Sequence, residues 1–162
     1  MRKFLVSLIF FSAIYAESIN ADHFKNLKFR FIGPDGNRAI AVAGISSDHN
    51  TYFVGAASGG LWRTKNNGIS WKPIFDDQDV SSVSALAVSQ KDPNIVWAGT
   101  GETFLIRPAH AIGDGIYKST DGGDTWTNMG LEKTARIGRI VIHPTNPNIV
   151  YVAALGHAHG PQ

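Results

Sequence analysis

The sequence of 162 residues contains no cysteine. A disulfide framework, a thiolate metal site and a thiol nucleophile are therefore excluded, and the fold must depend on its apolar core. An excess of basic charge is also missing, because the formal net charge of +2 is accounted for by Arg2 and Lys3 alone. No basic stripe exists that could neutralise phosphates, so nucleic acid is not an expected partner.

Long apolar runs are absent except at the N-terminus. There, Arg2 and Lys3 precede a short, mostly apolar segment that ends at Ala16. A positive start followed by such a segment is typical of a secretory signal peptide, and the segment is too short to span a bilayer comfortably. We therefore predict a signal peptide over residues 1–16 and a secreted, periplasmic or cell-surface location. The alternatives for this segment are an uncleaved membrane anchor and a buried β-strand.

What the sequence does contain is an internal repeat. A turn followed by a short apolar strand recurs at residues 48–55, 92–99 and 146–153. Two octapeptides, T-K-N-N-G-I-S-W at 64–71 and S-T-D-G-G-D-T-W at 119–126, recur with it. The repeat is about 44 residues long, with extra residues inserted in the second copy between Gly99 and Ile116.

Each repeat is predicted to form four short strands. In the second repeat these are residues 83–89, 95–100, 115–119 and 125–129, where apolar residues alternate or run between turn-forming residues. Four-stranded repeats of this length are typical of a β-propeller. We therefore predict an all-β propeller with four-stranded blades, of which about two and a half are present.

The predicted domain organisation follows from these repeats. A propeller closes with roughly four to eight blades, so we expect an N-terminal fragment of a longer protein whose remaining blades are its partners. A short complete sandwich and a ring-forming oligomer are the alternatives. After the signal peptide we predict an N-terminal segment over 17–36 with a possible ring-closing strand at 27–32, blade 1 over 37–80, blade 2 over 81–136 and an incomplete blade 3 over 137–162.

The octapeptides have the composition of a hairpin loop. Ser119 and Asp121 can accept hydrogen bonds from nearby backbone N–H groups, and Gly123 can adopt a positive φ. The first copy keeps these residue types, with an amide in place of the carboxylate. We therefore predict a structural role for both octapeptides, through Thr64, Asn66, Gly68, Ser70, Trp71, Ser119, Asp121, Gly123, Thr125 and Trp126.

Residues 119–126 resemble the Asp-box, or bacterial neuraminidase repeat, S/T-x-D-x-G-x-T/S-W. Residues 29–156 resemble the N-terminal blades of bacterial sortilin-like propellers, chiefly at A57-S-G-G-L-W62, G99-T-G-E102 and 115–123. This resemblance implies an exported scaffold that binds a peptide, protein or carbohydrate through its loop face or central channel. The alternative is a fragment of an Asp-box glycoside hydrolase, xyloglucanase-like or sialidase-like, with catalytic residues in other blades.

Two departures from these hydrolase families affect the prediction of activity. Residues 29–34, which include Arg30, differ in spacing from the arginine motif of sialidases. Xyloglucan hydrolases resemble this chain at residues 54–62, but their catalytic Asp, in a T-D-x-G-G pattern, falls on Ala57. Alanine neither donates nor accepts a proton. We therefore assign no catalytic residue to this chain and leave its status as an enzyme open.

Topology predicts which loops face a ligand. In a four-stranded meander the 1–2 and 3–4 turns share one edge, and the 2–3 loops and the links between blades share the other. The long second loop lies on the latter edge, and long loops on a rigid scaffold commonly carry binding. We predict that the ligand-binding residues are Glu102, Arg107, His110 and Asp114.

Other polar clusters are weaker candidates. The acidic link with Asp76, Asp77 and Asp79 lacks the features of a calcium loop, and His157 with His159 lacks a third metal ligand. We predict no metal and no cofactor. Near the starts of inner strands, Arg38 and Arg139 are expected to point toward the channel, where they would suit an acidic ligand or form salt bridges.

Overall fold

The computed structural model describes residues 20–27, 33–34, 38–103 and 111–157. The predicted signal peptide, residues 28–32 of the possible closing strand, Arg107, His110 and His159 lie outside these ranges. The chain divides into two compact units, Met1–Phe31 and Ile32–Gln162. The described part of the first unit contains one 3₁₀ turn, Ala21–Phe24. Among the described residues, no helix is both long enough and apolar enough to cross a membrane.

The described part of the second unit contains three antiparallel sheets. Two of them are four-stranded meanders, and the third has two strands. The all-β fold with four-stranded blades, the third incomplete, is therefore confirmed. The strands are β1 (Ala39–Ile45), β2 (Asp48–Ala56), β3 (Leu61–Thr64) and β4 (Lys72–Pro73) in the first sheet; β5 (Val83–Val88), β6 (Val96–Thr100), β7 (Ile116–Ser119) and β8 (Thr127–Asn128) in the second; and β9 (Arg136–Ile142) and β10 (Val150–Leu155) in the third.

The fourth strands are shorter than the alternating pattern predicts. The sequence predicts a strand over 125–129, whereas β8 covers only Thr127–Asn128. The backbone N–H of Thr125 donates to the carboxylate of Asp121 at 2.9 Å instead of to a strand. The indole N–H of Trp126 donates to the carbonyl of Ile74 in the preceding sheet at 2.7 Å. These two residues thus belong to the loop rather than to the strand.

Each first strand carries an irregularity at the same place. The pairing between the first two strands of each sheet shifts in register between Ala39 and Ala41 in the first sheet, between Val83 and Ala85 in the second, and between Ala153 and Ala154 in the third. A bulge re-aims the neighbouring side chains and bends its strand. At the second of these positions, the hydroxyl of Ser84 donates to the carbonyl of Ile137 in the next sheet at 2.7 Å. The inner strands of adjacent blades are thereby connected.

The hydrophobic core lies between neighbouring sheets. One cluster fills the space between the first and second sheets, where Phe75 makes edge-to-face contacts with Tyr117 and Trp126 at centroid distances of 5.1 and 5.3 Å. A second cluster joins the second and third sheets through Ala85, Trp97, Ile116, Ile137 and Ile140. Because the apolar faces of successive sheets are buried against each other, the blades position one another.

Candidate functional site

The second octapeptide closes on the carboxylate of Asp121. This carboxylate accepts hydrogen bonds from the hydroxyls of Thr125 (2.5 Å) and Ser119 (2.7 Å), and from the backbone N–H groups of Asp124 and Thr125 at 2.9 Å. These bonds, the Thr125 hydroxyl first, hold the pKa of Asp121 well below its usual range. The hydroxyl of Ser119 in turn accepts from the N–H of Gly123 at 2.7 Å. All four bonds to the carboxylate come from the loop itself, which is the geometry of a structural turn.

The first octapeptide reproduces this turn without the charge. The side-chain oxygen of Asn66 accepts from the N–H of Ser70 at 2.9 Å, and its amide group donates to the Ser70 hydroxyl at 2.9 Å. The hydroxyl of Thr64 accepts from the N–H of Gly68 at 2.9 Å. Trp71, which ends this octapeptide, is half-buried. An amide therefore replaces the carboxylate with little change in the hydrogen-bond pattern.

The second octapeptide is also bound by the preceding blade. Arg63 on β3 is buried, and its guanidinium donates to the carbonyl of Gly122 at 2.6 Å and to Asp124 at 2.8 Å. The hydrogen bond from Arg63 is the main cause that lowers the pKa of Asp124. Sequence reasoning missed this contact. The available signal was a basic residue immediately before each octapeptide, Arg63 and Lys118.

At the opposite edge of the blades, Glu102 forms an ion pair with Arg38. Glu102 follows β6 in the second sheet and is only 5% exposed. Arg38 precedes β1 in the first sheet, and its side chain keeps 36% of its surface exposed. Backbone bonds fix both ends of the pair: Glu102 N–H donates to the carbonyl of Ala111 at 2.8 Å, and the carbonyl of Arg38 accepts from Ala57 N–H at 2.9 Å. A carboxylate is thus held in place between two blades.

Asp114 has different partners from Glu102. Its carboxylate accepts from the hydroxyl of Tyr117 at 2.5 Å and from that of Thr100 at 3.2 Å. Burial, with this bond to Asp114, raises the pKa of Tyr117 to about 12. Asp114 therefore secures the base of the long loop against β6 and β7. Of the four residues predicted to bind a ligand, Glu102 and Asp114 are described, while Arg107 and His110 lie outside the described residues.

A groove runs across the three inner strands. The exposed side chain of Arg139 lies in this groove, and its orientation toward a central channel stays a prediction. The lining residues of the groove lie on the first strand of each sheet, next to the register shift: Ile40, Val42, Ser84, Leu86, Gly138 and Arg139. Among the described residues, no three His, Cys, Asp or Glu side chains are grouped so that they could hold an ion, and His159 lies outside these residues.

Comparison with known proteins gives a match at the level of structure only. No protein-family model and no curated protein matches the sequence. An ancestral GH74 enzyme superposes with a TM-score of 0.57 and 22% identity, over 76% of this chain and 16% of that one. The GH74 enzyme of Niastella koreensis gives a TM-score of 0.55 and 22% identity, over 70% of this chain and 16% of that one.

These comparisons establish the architecture. At this level of identity the likeness concerns the fold alone, and the chain spans 16% of the length of each of the two enzymes. GH74 enzymes are β-propeller glycoside hydrolases. The described residues therefore form part of a β-propeller, with two complete blades and the first two strands of a third.

Proposed function

We propose that this protein forms part of a propeller that binds carbohydrate at the edge carrying Glu102 and Arg38. The observation that carries the proposal is the ion pair between these two residues, which fixes a nearly buried carboxylate where the 2–3 loops emerge. Loops held by a rigid scaffold are common binding elements. The side chain of Arg38, which is 36% exposed, offers donors and the carboxylate of Glu102 offers acceptors, and both suit the hydroxyl groups of a sugar.

The chemical class of the ligand comes from the likeness to other proteins. Two solved structures with this fold are GH74 enzymes, and residues 54–62 resemble xyloglucan hydrolases. A neutral plant-type β-glucan is therefore the ligand that we propose, with xyloglucan as its probe. Such a ligand is found outside cells, which agrees with the predicted signal peptide over residues 1–16. A peptide or protein ligand, as the sortilin-like resemblance implies, is the alternative at the same edge.

Binding is favoured over catalysis by the side chains at this edge. Glycoside hydrolysis requires two carboxyl groups that flank the scissile bond. Ala57 stands where the resemblance places one of them, and its side chain is buried. Asp114 is held by Tyr117 and Thr100. A glycoside hydrolase is the second candidate, favoured by the likeness to GH74 enzymes; its further carboxylate would lie outside the described residues.

The test is titration calorimetry of the full chain with xyloglucan oligosaccharides. Glu102→Gln keeps the size of the side chain but weakens a charged hydrogen bond, so we expect affinity to fall about tenfold or more. Asp92→Asn is the matched control, because Asp92 belongs to the 1–2 turn at the opposite edge and its side-chain oxygen accepts from Asn94 N–H at 3.1 Å, which an amide oxygen can also do. Circular dichroism verifies that both variants fold.

The outcomes separate the candidate functions. Saturable binding that depends on Glu102, without release of reducing ends, supports the proposal. Release of reducing ends that is lost in Glu102→Gln would instead identify a hydrolase. Binding that is equally weakened by Asp92→Asn, or no binding of xyloglucan at all, would contradict a carbohydrate site at this edge.

A further inference from the structure

A pocket lies at the octapeptide edge of the first blade, opposite the edge that carries Glu102. It encloses about 190 Å³ and is lined by Arg63, Lys65, Asn66, Ser70, Trp71 and Lys72. This volume is below the roughly 300–1,000 Å³ of sites that hold drug-sized molecules. The pocket therefore suits one small group, such as a single sugar residue.

Three of the lining side chains are cationic. Lys72 lies opposite Arg63 on the neighbouring strand, and the exposed Lys65 follows β3. The pKa of Asp124 is lowered first by the hydrogen bond from Arg63 and further by the charges of Lys72 and Lys65, so all three cations face this carboxylate. Arg63 bonds to it at 2.8 Å, whereas the ammonium group of Lys72 stays 3.8 Å away and its side chain is 70% exposed. Among the described residues, no other carboxylate pairs with these cations, and the pocket keeps an excess of positive charge.

The neutral octapeptide adds a hydroxyl donor to this charge. In the second octapeptide, the hydroxyl of Thr125 donates to the carboxylate of Asp121 at 2.5 Å. In the first, the amide group of Asn66 donates to Ser70 Oγ at 2.9 Å, so the hydroxyl proton of Ser70 must point elsewhere. Within the described part of the chain, that proton has no acceptor. The amide of Asn66 thus leaves the pocket with a free donor and without a negative charge.

Trp71 supplies an aromatic surface between these donors. It lines the pocket and is half-buried, and it lies between Ser70 and Lys72 along the chain. Binding sites for small molecules commonly combine an aromatic wall with a few placed polar groups. A pyranose ring has an apolar C–H face that can cover such a wall, whereas an acidic amino-acid side chain would match the cations and leave the indole uncovered.

We propose that this pocket binds one acidic sugar residue of a polysaccharide, through an oxyanion that a uronate carboxylate or a sulfate ester provides. The oxyanion would lie between Lys65 and Lys72 and accept from the Ser70 hydroxyl, with the sugar ring on Trp71. Neither Glu102 nor Arg38 enters this inference, and the ligand is acidic rather than neutral. The inference is therefore independent of the proposed function.

The probe is trigalacturonate, titrated into the ¹⁵N-labelled full chain. The indole N–H resonance of Trp71 is followed after its assignment with Trp71→Phe. We expect a saturable shift with trigalacturonate and none with the neutral galactose trisaccharide. A sulfated galactose trisaccharide, titrated in parallel, distinguishes the two sources of the oxyanion by which of them binds more tightly.

The decisive variant is Asn66→Asp, which reproduces the turn of the second octapeptide and should therefore fold. Its carboxylate would take the Ser70 proton and repel the ligand, so we expect affinity to fall about tenfold or more. Lys65→Gln and Lys72→Gln should each weaken binding about two- to fivefold, as exposed ion pairs do. The matched control is Asp121→Asn in the second octapeptide, which should leave the affinity unchanged.

Three results would overturn the inference. One is the absence of any Trp71 shift with both acidic trisaccharides on the folded chain. Another is binding that Asn66→Asp and the two lysine variants leave unchanged, or that the neutral trisaccharide equals, because charge would then have no role. The last is equal affinity for triglutamate, which would show that the pocket recognises charge without a sugar ring.

Discussion

The contact between Arg63 and the loop of the next blade predicts a measurable loss of stability in Arg63→Ala. The change removes two charged hydrogen bonds, at 2.6 Å to Gly122 and 2.8 Å to Asp124. A bond from a charged donor contributes about 1.5–3 kcal/mol, but the Asp124 side chain is 48% exposed and its bond is screened to about 0.5–1 kcal/mol. We expect the free energy of unfolding to fall by about 3 kcal/mol in total.

Urea titration monitored by tryptophan fluorescence measures this loss, with a midpoint lowered by about 1.5 M at an unchanged slope. Arg63→Lys, which copies the residue found at position 118, keeps the charge but loses the two-pronged geometry, and should cost about 1 kcal/mol. If Arg63→Ala is too unstable to study, Arg63→Lys and Asp124→Asn still form a double-mutant cycle. A cost below about 0.5 kcal/mol for Arg63→Ala, or additive effects in the cycle, would refute the reasoning.

The same pair predicts a dependence on pH. The pKa of Asp124 is lowered in the folded state, first by its hydrogen bond with Arg63. The stabilisation is therefore present above the unfolded pKa of about 3.9 and is lost as pH falls through the lower folded pKa. In Arg63→Ala, the decrease of stability on acidification should be smaller than in the unchanged chain.

Three further predictions concern single side chains. Gly123→Ala should lower the free energy of unfolding in urea by about 2 kcal/mol or more, because φ is +93° and the new Cβ would clash with Ile74. Gly130→Ala, at φ +100° with open space around the new Cβ, should lower it by only about 1 kcal/mol, the cost of backbone strain. Equal losses would contradict this packing. Asp121→Asn should keep most of the hydrogen bonds of the turn. Asp121→Ala should lower the free energy of unfolding by about 2 kcal/mol more than Asp121→Asn in the same assay. A larger loss in Asp121→Asn than in Asp121→Ala would contradict the structural role of these hydrogen bonds. Ultraviolet titration should show that one tyrosine ionises near pH 12 and that Asp114→Asn lowers the pKa of Tyr117; an unchanged titration would count against this hydrogen bond.

The local features of the fold were predictable from the sequence. Alternating apolar residues indicate a β-strand with one buried face, and Asp, Asn and Gly at fixed positions indicate the turn that joins two strands. The hydrogen bonds of Asp121 span at most four residues along the chain, so their geometry is encoded locally. The ends of the short fourth strand were less predictable, because Trp126 leaves the strand to bond with the neighbouring blade.

Contacts between blades were not predictable in the same way. Arg63 and Asp124 are 61 residues apart, and Arg38 and Glu102 are 64 apart. The rotation between successive sheets decides which side chains from different blades come into contact. The periodicity within one repeat contains no information about that rotation, so these contacts cannot be predicted from it. Sequence reasoning therefore identified Glu102 as a candidate by its loop and named salt bridges as one role for Arg38, but it did not predict that these two residues pair.

The central claim, a carbohydrate site at the edge that carries Glu102 and Arg38, is tested most directly by mapping the bound ligand. Backbone amide shifts of the ¹⁵N-labelled chain would be recorded during titration with xyloglucan oligosaccharides. The account predicts that perturbed amides cluster at Arg38, Ala57 and Glu102, with those of the two octapeptide loops unchanged. Perturbations confined to the octapeptide edge, or none at saturating oligosaccharide, would contradict it.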